Sequence, residues 1–129
     1  MYVINTANVQ WDRDDWYCHG VLDGALPVRR IHETEETLAF WAPDGHRLND
    51  EYETHIYVIP KRHVATVLDL RPEDAGLLQA LFGTIQTVAN KLELDKRGFF
   101  IRANVMPPYQ HTGHIHLHLL SGERQAGPK

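Results

Sequence analysis

His114-Ile115-His116-Leu117-His118-Leu119-Leu120 alternates polar and apolar residues, and its reading decides the fold. Side chains of a strand point to opposite faces in turn, so the three histidines share one side and Ile115, Leu117 and Leu119 the other. One face is core and the other is a row of imidazoles. Alternate residues stand roughly 7 Å apart at ~3.4 Å rise per residue, so the rings meet only through strand twist or intervening backbone groups. The row can still converge on one ligand. Two chemistries suit it: neutral imidazoles can ligate zinc, copper or iron, or one imidazole can attack phosphorus to form a phosphoramidate that water later cleaves. In the second case its neighbours donate to oxygens that gain charge. Periodicity alone leaves both readings open.

Outward from this strand, residues 98–104 (Gly-Phe-Phe-Ile-Arg-Ala-Asn) read as another strand, joined to it by a loop at 105–113 that contains Pro107-Pro108. Before them lies the clearest helix. Pro72 suits its first position and Glu73 and Asp74 the positive end of its dipole. Leu78, Leu81, Phe82, Ile85, Val88, Ala89 and Leu92 then recur at three- and four-residue steps as one apolar stripe. Further upstream, His55 to Ile59 is a strand ended by Pro60, and 46–53 a polar surface loop after the Pro43-Asp44-Gly45 break. Val28 to Glu33 and Thr37 to Trp41 form a hairpin, and the spacing of Trp16, Tyr17 and Val21 suits a short helix. Strands, then a helix, then strands give an α+β fold: an antiparallel sheet of about five strands with one long and one short helix.

The 129 residues suit one domain, with its core over about 16–122 and a short polar tail. A formal net charge of -4 speaks against a general nucleic-acid binder, although a local patch can still attract an anion. Cys18 is the only cysteine, which excludes an intrachain disulfide and zinc sites built on cysteine pairs and suits a reducing, cytoplasmic setting. Residues 1–5 lack the cationic start and apolar stretch of a signal peptide, and no apolar run suits a membrane span.

The histidine stretch resembles the histidine-triad (HIT) family, whose signature is His-φ-His-φ-His-φ-φ with φ apolar; residues 114–120 match all seven positions. Residues 55–63 (His-Ile-Tyr-Val-Ile-Pro-Lys-Arg-His), Leu38-Ala39-Phe40 and the Pro72 helix start are similar to other segments of that family. The resemblance implies that His116 is a nucleophile that becomes nucleotidylated, that His118 contacts phosphoryl oxygens and helps protonate the leaving group, that His114 orients His116, and that His55 is a fourth active-site histidine. It implies that Asn104 and Gln110 position the α-phosphate, with Phe40 and Asp44 near base and sugar. It further implies a homodimer that cleaves a nucleoside-5′-phosphoryl conjugate (a phosphoramidate, a dinucleoside polyphosphate or similar) as a phosphoramidase or nucleotide hydrolase, or transfers the nucleoside monophosphate, with no cofactor and no catalytic metal. A nucleotide-binding regulatory protein without turnover, and a metal-dependent enzyme built on the histidine row, are the competing readings.

The chain departs from the family in four places. Ala42 stands where many members carry the ribose-binding acid, and the loop 43–54 is longer. His111 replaces a phosphate-binding hydroxyl residue, a role that Thr112 could take. The Cys-x-x-Cys that holds structural zinc in some bacterial members would fall near Trp16 and His19, where only the offset Cys18 remains, so no structural zinc is expected.

Overall fold

A computed structural model describes Thr6 and residues 8–124; the readings of residues 1–5 and of the tail beyond 124 lie outside the described residues. The strands are β1 (Arg30–Glu33), β2 (Thr37–Trp41), β3 (Tyr52–Pro60), β4 (Phe100–Ala103) and β5 (Leu117–Glu123). They form one antiparallel sheet in the order β1-β2-β3-β5-β4. The helices are α1 (Leu48–Glu51), α2 (Ala75–Lys91) and α3 (Leu94–Arg97), with a π-helical turn at Tyr17–Val21 and 3₁₀ turns at Val67–Asp69 and Pro72–Asp74. The α+β reading stands, with more short helical turns than the single one expected.

Period-two alternation builds both faces of the sheet. Ala39 of β2, Ile56 and Val58 of β3, and Leu117 and Leu119 of β5 are buried against α2. On the opposite face Leu38, Phe40, Tyr57 and Ile59 pack under Tyr17 and Val21 of the π-helical turn. That second face carries His55 and His118.

Four local readings change. Pro72 opens the 3₁₀ turn and α2 starts at Ala75. The face of α2 turned to the sheet is Leu77, Leu81, Thr84, Ile85, Val88 and Ala89, whereas Leu78 and Phe82 are 38% and 48% exposed. Thr84 belongs inside because its hydroxyl bonds that of Thr37 at 2.5 Å, a polar contact to which an apolar stripe is blind. The polar segment 46–53 is not loop throughout: His46 Nδ1 accepts the Leu48 N–H at 3.1 Å and Asn49 Nδ2 donates to Pro43 O at 3.0 Å, closing the turn that becomes α1. Regular pairing in β5 begins at Leu117, so His114, at a bend, and His116 lie on the approach to the strand and not within it.

Candidate active site

The approach to β5 is fixed from both ends. The His114 ring is buried; its Nε2–H donates to Pro60 O at 2.9 Å, and its Nδ1 lies 3.0 Å from Asp15 Oδ2. Asp15 belongs to the segment before the π-helical turn, where its Oδ1 accepts the N–H groups of Tyr17 and Cys18 at 3.1 and 3.0 Å. Burial opposes ionisation of this carboxyl, but hydrogen bonds from His114 and the Cys18 N–H outweigh it and hold Asp15 well below the usual carboxylate range. The N-terminal segment is thereby pinned to the histidine row.

Backbone, and not another ring, links the first two histidines. His116 Nδ1–H donates to the His114 carbonyl at 2.8 Å. A carbonyl can only accept, so in the neutral ring the proton sits on Nδ1 and Nε2 keeps its lone pair. Tyr17 packs on this ring with centroids 5.2 Å apart. Burial, reinforced by the nearby His114 and His46, lowers the His116 pKa to about 4 despite the bond to the His114 carbonyl, so the ring is neutral at pH 7.

A second relay fixes His118. Because Asn49 Nδ2 is turned to Pro43 O, its Oδ1 faces His55 Nδ1 at 3.0 Å and accepts that N–H. His55 Nε2 then has a lone pair and accepts His118 Nδ1–H at 2.8 Å. The consequence is a lone pair on His118 Nε2, a buried atom without a partner among the described residues. Burial first, then neighbouring imidazoles, lower His55 to about 3 and His118 to about 2. The resemblance implies that His118 helps to protonate the leaving group, a step for which this ring must first take up a proton at Nε2.

His116 and His118, whose ring centroids are 5.2 Å apart, line a cavity of about 710 Å³. Of the other residues singled out from sequence, Asn104, His111, Thr112 and Asp44 also line it. His111 Nδ1 is engaged with Asp12 Oδ2 at 2.8 Å. Two expected substrate contacts are placed elsewhere. Gln110 is 2% exposed; its Nε2 donates to Ala65 O and Thr112 O, and its Oε1 accepts the Met106 N–H, so its amide is consumed in shaping the loop. Phe40 is fully buried against Trp16, Tyr17 and Tyr57 and is a core residue. His55 stands behind His118, outside the cavity lining.

The cavity also contains side chains that sequence reasoning passed over: Arg13, Arg47, Arg102, His46, Tyr17 and Tyr57. Arg102 and Tyr57 lie directly across the sheet from His118, on either side of it, which the strand register explains. His46 caps its ring against His55, centroids 4.7 Å apart. Its Nδ1 accepts the Leu48 N–H, so the neutral ring keeps its proton on Nε2. These residues come from loops or from polar strand positions without a periodic signal; only the arrangement in space groups them.

The expectation about zinc changes too. Asp15, Cys18, His63 and His114 place one ligand atom each within 4.8 Å of one another. Asp15 stands three residues before Cys18, so the place of a cysteine pair is filled by a carboxylate and a thiol. Two imidazole nitrogens, a sulfur and a carboxylate oxygen are a donor set that zinc accepts.

A family model described as "Scavenger mRNA decapping enzyme C-term binding" matches residues 15–127. A 13.2 kDa HIT-like protein of Azospirillum brasilense is 32% identical over 111 residues, covering 84% of this chain and 85% of the relative. A HIT-like protein of Helicobacter pylori is 29% identical over 105 residues, covering 81% and 93%. The crystal structure of a HIT family hydrolase from Legionella pneumophila superposes with a TM-score of 0.73 at 30% identity, covering 87% of this chain and 96% of that one.

Proposed function

The chain belongs to the histidine-triad family, and from that premise we propose that it is a nucleotide hydrolase or nucleotidyl transferase working through a covalent nucleotidyl-histidine at His116. One observation carries this reading: the His116 Nδ1–H bond to the His114 carbonyl leaves the Nε2 lone pair of a neutral imidazole at a cavity wall. In the first half-reaction His116 Nε2 attacks the α-phosphorus of a nucleoside-5′-phosphoryl conjugate. The new N–P bond forms as the bond from phosphorus to the leaving group breaks, and the leaving group takes the electron pair. In the second half, water or another acceptor attacks that phosphorus, its proton passes to the His118 Nε2 lone pair, and the bond to His116 breaks.

In this reading Asn104 and Thr112, which line the cavity, hold the phosphoryl oxygens. Gln110 acts by fixing their loop. Zinc, where bound, would be held by Asp15, Cys18, His63 and His114 and would tie the N-terminal segment to His114; the two half-reactions do not pass through it. Tyr17 and Tyr57 remain phenols: burial, aided by Tyr57, raises Tyr17 well above its ordinary value, and burial pushes Tyr57 up to about 12. The single domain works as a cytoplasmic homodimer in this reading, with the outer edge of β4 as the joining strand.

Replacement of His116 by Ala tests the assignment. The variant is expected to keep its fold and lose turnover on every nucleotide conjugate that the wild type cleaves. Full activity in the variant would remove His116 from the role.

A further inference from the structure

Four imidazoles line the cavity, and they do not present the same atom. His116 donates its Nδ1–H to the His114 carbonyl, His118 donates to His55 Nε2 and His111 to Asp12, so each of these rings, when neutral, keeps a lone pair at Nε2. His46 is the reverse. Its Nδ1 accepts the Leu48 N–H at 3.1 Å, which puts the ring hydrogen on Nε2. That Nε2–H has no partner among the described residues and, unlike His118 Nε2, is not sealed from solvent. The ring is held in place. Gly45, with a φ of 89°, turns the chain ahead of it, and the His46 carbonyl accepts the Asn49 N–H at 2.9 Å. The ring crosses those of His55 and Tyr57 at 71° and 74°, with centroids 4.7 and 5.9 Å apart. Burial, followed by the charges of Arg13 and Arg47, lowers the His46 pKa below the ordinary histidine value, so the neutral N–H form prevails at pH 7.

Sheet order gives this donor a side. β5 runs between β3 and β4. His46 stands over β3, against His55 and Tyr57, whereas Asn104 follows directly on β4. Both line the cavity, so side-chain N–H donors reach the histidine row from its two flanks. The His46 ring lies 6.2 Å from that of His118, and a charge on it acts on His116 as well. A phosphoryl group at His116 carries two non-bridging oxygens, both anionic acceptors. The Nε2 lone pairs of the row repel such oxygens, and an N–H attracts them.

We propose that His46 is a catalytic residue that binds, through Nε2–H, the non-bridging α-phosphoryl oxygen on the β3 side, while Asn104 holds the one on the β4 side. The inference rests on the nucleotidyl-transfer reading and adds to it a substrate contact from the long 43–54 loop. No proton is transferred at His46. As the N–P bond to His116 forms and the bond to the leaving group breaks, the non-bridging oxygens gather negative charge and the hydrogen bond from His46 tightens. The attack of water or another acceptor passes through the same five-coordinate phosphorus, so the contact serves both half-reactions.

Two substitutions separate the contact from support of the loop. His46→Asn keeps an oxygen near the place of Nδ1 for the Leu48 N–H but puts nothing at Nε2, whereas His46→Gln extends an N–H toward that place. On a donor that the wild type turns over, kcat is expected to fall about 10- to 100-fold in His46→Asn, the range of one charge-assisted hydrogen bond, and to recover in part in His46→Gln. The two α-phosphorothioate diastereomers of that donor place sulfur, a weak acceptor, on one flank or the other. In His46→Asn the rate penalty for sulfur is expected to shrink about tenfold for one diastereomer and to stay as in wild type for the other, since only one oxygen has lost its N–H. A merely loosened loop would leave both penalties alike. Wild-type kcat in His46→Asn, or a change shared equally by the two diastereomers, overturns the proposal. Calorimetric titration with orthovanadate, which becomes five-coordinate when an imidazole nitrogen joins it, separates the proposal from the reading beneath it. If no donor turns over, the nucleotidyl-transfer reading fails, while orthovanadate binding about tenfold tighter to wild type than to His46→Asn still supports the contact; equal binding, or none to wild type, overturns it.

Discussion

Asn49 governs a proton two residues removed from it: its amide oxygen fixes the His55 tautomer, and His55 fixes that of His118. Replacing Asn49 by Ala releases both rings, and kcat is expected to fall about 10- to 100-fold, the usual cost of losing an orienting partner, with a much smaller change in KM. Asn49→Asp, which keeps an acceptor, is expected to recover part of the loss and to move the acid limb of the rate profile upward, because a carboxylate favours the imidazolium. Steady-state kinetics across pH separate this from a merely structural role. In wild type His55, His116 and His118 titrate at about 3, about 4 and about 2, so kcat/KM is expected to hold from pH 8 to about 5 with no inflection near ~6.5, where a free histidine titrates. An inflection there would mean that the cavity does not keep these rings neutral. At this scale the sequence shows His116 and His118 because they alternate with Leu117, whereas Asn49, His46 and Arg102 carry no such signal. Gln110 lies close to the site in sequence, yet its amide faces inward, a placement set by three backbone groups that only folding brings together.

The elements were legible wherever one face of an element is uniformly apolar. The β1–β2 hairpin, β3 and β4 follow from short β-rich runs bounded by turn residues, and α2 follows from its stripe, although Leu78 and Phe82 lie on its exposed flank. Of the turns around the cavity, the π-helical one follows from the spacing of Trp16, Tyr17 and Val21, whereas α1 was not legible, since side-chain hydrogen bonds and not periodicity define it. The entry to the histidine row depends on a close contact of this kind. A Cβ on Gly113 would stand 2.6 to 2.9 Å from ring atoms of Trp11, so the indole packs against bare backbone between Thr112 and His114. Gly113→Ala must displace the indole or the row. The expected result is a loss of about 1–3 kcal/mol, typical of overpacking, together with lower kcat, read by thermal denaturation and by turnover. An unchanged melting temperature would show that Trp11 moves aside freely.

Over the whole molecule, the buried neutral histidines couple stability to pH. In the unfolded chain they protonate near ~6.5, whereas in the fold they stay neutral to about 4 or below. Between those limits the unfolded chain binds more protons, so stability falls as pH falls, by up to about 1.4 kcal/mol per pH unit per histidine, and these groups add no slope above pH ~7. Denaturant midpoints measured from pH 7.5 to 4.5 check the sign. Assembly is a second property at this scale. β4 is the last strand in the sheet order, and its Phe100 and Ile101 are 40% and 42% exposed. Ile101→Glu is expected to convert the proposed homodimer to a monomer in light scattering, because a buried unpaired charge disfavours an apolar interface. All of these expectations depend on a cavity built for chemistry at one nitrogen. Intact-mass spectrometry tests that most directly: wild type mixed with a turned-over nucleotide donor and denatured at alkaline pH, where a phosphoramidate survives, should gain one nucleoside monophosphate less water at His116, and His116→Ala should gain nothing. Turnover without an adduct, or an adduct on another residue, would contradict the account.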